Sequence, residues 1–95
     1  MKNQHSFTLI DGNFSIKESR EILQNVFSDK IQFHERKNFS SKERFGKEDT
    51  TALKRIPKLK KSIDEIIKML ESAENKIELL EIKSEIVINF VSSKI

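Results

Sequence analysis

The sequence predicts an α+β fold in the order β-α-α-β, a long antiparallel helical hairpin packed on a small antiparallel sheet. Three observations lead there. From Thr51 to Asn75, apolar residues recur at steps of three and four: Leu53, Ile56, Leu59, Ile63, Ile66, Ile67 and Leu70. That is the period of a helix with one apolar side. After Asn75–Lys76 the period drops to two, with Leu80, Ile82, Ser84, Ile86, Ile88 and Phe90 alternating with Glu81, Lys83, Glu85, Val87, Asn89 and Val91, as on a strand. Near the start, Ser6–Phe7–Thr8–Leu9–Ile10 is β-branched and aromatic, a short strand former.

Composition bounds the rest. A chain of 95 residues makes one domain, 1–95. Hydrophobic residues are 36% and charged residues 35%, so the chain can fold but is short of core material. Only two Gly and one Pro are present. So few breakers exclude a many-turned sandwich or barrel and favour long regular elements. The absence of Cys excludes a disulfide framework and a thiolate metal site. The first thirty residues hold no apolar run of signal-peptide length, and no stretch is long enough to span a bilayer. A cytoplasmic protein away from the membrane is expected, and the Lys- and Ile-rich composition has the look of a small bacterial protein.

Taken in order, residues 1–5 are polar and expected to be disordered. Strand 6–10 places Phe7 and Leu9 on one face, and Asp11–Gly12–Asn13 supplies turn chemistry. Ser15 and Glu18 match a capping box, opening a helix over 15–37 with Ile16, Ile22, Leu23, Val26, Phe27, Ile31 and Phe33 on a broad face. The pattern lapses at Lys37. Residues 38–49 read as a loop with a short helical piece, capped by Ser40 and Glu43 and stopped at Gly46 in the left-handed region. Phe39 and Phe45 are expected to fold back over the helix ends.

Asp49 or Thr50 then caps the central helix, 50–75, about 37 Å long. Lys60 and Asp64, Lys61 and Glu65, and Asp64 and Lys68 stand four apart, where opposite charges can meet. Pro57 in a helix interior removes one hydrogen bond, at a cost of about 3 kcal/mol. The unbroken apolar phasing favours one helix kinked near 57 over a main helix that starts at Pro57. The final strand is expected over 78–91.

A helical hairpin returns the last strand beside the first, antiparallel. The lengths disagree, about 40 Å against about 17 Å, which leaves much of the long strand unpaired. An open apolar edge invites another chain, so the sheet is expected to extend by dimerisation through Ile82, Ile86, Val87, Ile88 and Val91. The alternative is an isolated, twisted strand pair. Ile86 is placed in the seam between sheet and helices.

Charge separates along the chain. Residues 30–61 hold eleven Lys or Arg against four acidic residues, a net of +7, and the remainder a net of −4. This hairpin tip is either a docking surface for phosphates or an acidic protein, or a solvated Lys-rich helix end. The candidate contacts are Arg36, Arg44, Lys54, Arg55, Lys58 and Lys61, with Arg36 and Arg44 able to clamp a phosphate bidentately. His34 falls on the apolar side of the first helix and has no second polar partner in sequence, so it reads as a core-edge histidine. Asp11–Gly12 lacks the repeated glycines of a nucleotide loop, and no Ser, His and acid set or carboxylate pair stands out. No catalytic, cofactor or metal residue and no small-molecule substrate is indicated. The expectation is a non-enzymatic, homodimeric interaction module that binds another macromolecule. Its alternative is a nucleic-acid-binding accessory protein that uses the basic tip.

Overall fold

Local signals set where the helices start and stop. In the computed structural model, which describes residues 4–76 and 79–92, the elements are β1 (Gln4–Phe14), α1 (Ile16–Phe45), α2 (Thr50–Ala73) and β2 (Leu80–Asn89). Ser15 caps α1: its hydroxyl accepts from the Glu18 N–H at 3.1 Å, and the Glu18 carboxylate accepts from the Ser15 N–H at 2.9 Å. Gly46, at φ 66°, ends the helix, its N–H donating to the Lys42 carbonyl at 3.0 Å. The Asp49 carboxylate accepts from the Ala52 N–H at 2.8 Å and so caps α2.

The expected interruption of the first helix is absent: α1 runs unbroken for 30 residues, about 45 Å. The polar run that suggested a break bonds sideways instead. Asn38 Oδ1 accepts from the Asp49 N–H at 2.7 Å, and the Ser41 hydroxyl donates to the Lys47 carbonyl at 2.7 Å. These side chains therefore tie α1 to the connection and do not compete with its own backbone.

The second helix is single, with Pro57 inside it. Pro57 cannot donate to the Leu53 carbonyl, but both residues are exposed, so water can reach the freed oxygen. The stripe that meets α1 is Ala52, Ile56, Leu59, Ile63, Ile66, Ile67 and Leu70. Leu53, which the periodicity included, stands at its margin, 48% exposed. None of the three expected four-apart ion pairs of α2 closes to 4.0 Å among the described residues.

The largest departure from the sequence reading is β1. It extends from Gln4 to Phe14, so Gln4 and His5 are strand residues; residues 1–3 and the strand start expected at Glu78 lie outside the described residues. Asp11, Gly12 and Asn13 are not a turn. They pair with Lys83, Ile82 and Glu81 in an antiparallel ladder that runs from Gln4↔Asn89 to Phe14↔Leu80. Gly12 serves here by lacking a side chain: a Cβ there would lie 3.3 Å from the Phe14 ring. The strands have 11 and 10 residues, so the expected mismatch in length, and the unpaired stretch inferred from it, do not occur. Val91 lies past the end of β2.

A β-bulge falls between Thr8 and Ile10, which leaves Leu9 without a partner. Directly opposed residues share a face, and one extra residue reverses the alternation beyond it. Phe7, Ile10, Gly12 and Phe14 consequently lie on one side with Leu80, Ile82, Ser84, Ile86 and Ile88. Asp11, Asn13, Glu81, Lys83, Glu85 and Val87 take the other side.

This ribbon packs on the hairpin through α1. Ile10, Gly12, Phe14, Leu80, Ile82 and Ser84 are partly buried, and cover ends there. Phe7, Ile86 and Ile88 are 56%, 43% and 44% exposed, so Ile86 is not sealed in a seam. Among the described residues the buried apolar ones are few: Ile16, Ala52, Leu59 and Leu70. The molecule is a plate of 53 × 39 × 14 Å, and its radius of gyration of 17.2 Å exceeds the roughly 12 Å usual for this length.

Candidate interaction surfaces

Two surfaces stand out, a cationic hairpin tip and an uncovered apolar end of the ribbon. The tip arises because the C-terminal half of α1 and the N-terminal half of α2 lie side by side. All six expected contact residues, Arg36, Arg44, Lys54, Arg55, Lys58 and Lys61, are exposed. The early α2 cations face a helix N-terminus whose dipole disfavours them, and the first turn of α2 carries no acid. Asp49 is engaged as the cap, and Lys42 pairs with Glu48 at 3.4 Å. No other ion pair closes at the tip among the described residues, so most of its positive charge is unneutralised.

The six residues do not form one site. Arg44 lines a notch at the tip with Lys37, Ser40, Ser41, Phe45 and Asp49. Arg36 lines a separate cleft where the ribbon approaches α1, with Leu9, Val26, Asp29, Lys30 and Phe33. The two guanidinium groups expected to clamp phosphate therefore line different depressions.

The aromatic residues depart from expectation. Phe39 and Phe45 are 66% and 71% exposed, not folded over the helix ends. Only Gly46 to Asp49 separate the helices, too short a connection to double back over them. Phe33 is also exposed, with the Lys30 ammonium 4.8 Å and the Lys37 ammonium 5.9 Å from its ring centre, cation–π geometry. Exposed aromatics among cations are the feature that sequence reasoning discounted. For Phe39 the signal was there, since it falls off the α1 stripe of Ile16, Leu23 and Phe27; Phe45, five turns after Phe27, continues that stripe.

His34 is buried on the side of α1 that meets α2, its ring edge-on to Phe33 at 5.4 Å. Its Nε2 has no hydrogen-bond partner in the protein. Burial holds its pKa below the ordinary histidine value, Lys30 and Arg55 lower it further, Asp49 opposes, and Lys37 adds slightly. A neutral imidazole without a polar partner fits a packing role. Among the described residues no group of three His, Asp or Glu could hold a metal ion, and no helix is long and apolar enough to cross a membrane.

Comparison with protein-family models, curated proteins and solved structures gave no match to this chain.

Proposed function

We propose that the chain is a non-enzymatic, cytoplasmic interaction module of a bacterial cell that works as a homodimer and binds another macromolecule. The observation that carries the dimer is its surface. The chain exposes 8047 Å², whereas a folded monomer of its mass has about 5,700 Å². The surplus is about 2,400 Å². A standard interface takes about 800 Å² from each partner, and obligate homodimers take roughly 1,000 to 2,500 Å². With so few residues buried inside the single chain, association is the available way to cover the rest. Sedimentation equilibrium at micromolar concentration should return about twice 11.1 kDa. A stable monomer that unfolds cooperatively would overturn this reading.

One observation favours a nucleic-acid partner. Phe39 and Phe45 are exposed among the unneutralised cations of the tip, and single strands are held by backbone charge together with aromatic stacking. Two tips carried by one dimer would bind with avidity. Fluorescence anisotropy with a single-stranded oligonucleotide should show binding that weakens steeply with salt. Lys58→Glu with Lys61→Glu should abolish binding while leaving the fold intact, since both residues are exposed. No binding at low ionic strength would exclude nucleic acid and leave an acidic protein as the ligand of the tip.

A further inference from the structure

The uncovered end of the ribbon says where a second copy sits. The bulge at Leu9 puts Phe7 on the same face as Ile86 and Ile88, and α1 covers only the half of that face nearest the Phe14–Ser15 junction. Beyond Ser84 the apolar face continues with nothing over it, and Phe90 follows, its ring edge-on to His5 at 5.4 Å. On the α1 side, Leu9, Val26 and Phe33 line the adjoining cleft and are also exposed. Leu9 thus links the ribbon to the exposed side of α1 in one cleft.

Charge at its rim has both signs. Asp29 lies in the same cleft as Lys30 and Arg36, and none of the three has an ion-pair partner within 4.0 Å among the described residues. In a two-fold dimer a patch meets itself, so the acid of one copy can face the cations of the other. A patch of one sign would repel its own copy. The opposite face of the ribbon carries Asp11, Glu81, Lys83 and Glu85 and, toward the open end, the polar Gln4, Ser6 and Asn89, and is unsuited to a buried core.

We infer that two copies of this chain pack ribbon face against ribbon face through Phe7, Ile86 and Ile88, with Val26 and Phe33 of α1 closing the sides. This rests on the homodimer reading and replaces strand addition at the ribbon edge with stacking of the faces. Sheets so stacked stand about 10 Å apart.

The test compares three variants with the wild type by sedimentation equilibrium, with circular dichroism to follow the fold. Ile86→Lys and Phe33→Lys should each raise the dimer dissociation constant by roughly 100-fold or more, the effect of removing a central anchor. Val87→Lys, on the opposite face, should leave it within about threefold, as is usual away from such anchors. If Ile86→Lys loses its fold, Phe33→Lys, on a helix surface, still decides the matter. Dimers that survive Phe33→Lys, or that Val87→Lys dissociates, would overturn the face-to-face arrangement while leaving the homodimer standing. A monomeric wild type would remove both.

Discussion

Leu70 and Leu53 lie on the same apolar stripe in sequence, yet the structure separates them sharply. Leu70 is 1% exposed, the largest side chain that is fully buried, whereas Leu53 is about half in water. Truncation of either to Ala deletes the same atoms. At Leu70 the lost transfer energy is about 2.4 kcal/mol, from three carbons at about 0.8 each. The cavity left behind brings the total to about 3–4 kcal/mol. At Leu53 roughly half of the transfer energy is lost, and the better helix propensity of Ala offsets part of it. The net there is under about 1 kcal/mol. Urea unfolding followed by circular dichroism measures both, at one fixed protein concentration because dimerisation couples to stability. Equal losses at the two sites would refute the placement of Leu53 at the margin of the stripe that meets α1. A loss below about 1 kcal/mol at Leu70 would mean that the α1–α2 seam is not where the chain's stability resides.

Two further perturbations probe the hairpin. His34 has a lowered pKa in the folded state, so the unfolded chain takes up the proton first. Stability is then full above the ordinary value near 6.5 and falls as pH drops from there toward the lowered value. Urea midpoints between pH 7.5 and 5.5 should decline in the wild type and lie flatter in His34→Gln; an equal decline in both would exclude His34 as the source. Asn38→Ala tests the continuity of α1 by its sign. If Asn38 interrupted the helix, Ala would stabilise the protein. Because Asn38 accepts from the Asp49 N–H at 2.7 Å, the loss should instead be about 1 kcal/mol, read as a lower urea midpoint.

The sequence by itself determined the β-α-α-β order, the capping box at Ser15, the left-handed stop at Gly46 and a cap for α2 at Asp49 or Thr50. The order rests on the period of each segment, and the caps and the stop on a side chain or a backbone angle within four residues of the group they serve, so a short window of sequence contains the whole cause. The cationic tip was legible for the same reason, since charge is additive along the chain. Tertiary structure decided what depends on a distant partner. Asp11–Gly12–Asn13 has local turn chemistry, but β2 offers it a full ladder of hydrogen bonds from seventy residues away, and the ladder prevails. Asn38 and Ser41 resemble a helix break until the connection to α2 supplies their partners. The bulge at Leu9 left a trace in sequence, the adjacent apolar pair Leu9–Ile10, but the face that each residue takes follows from the register with β2. Exposure of Phe7, Ile86 and Phe45 could not be read from periodicity, because a period gives the side of an element and only the neighbouring elements determine how far along that side the cover reaches.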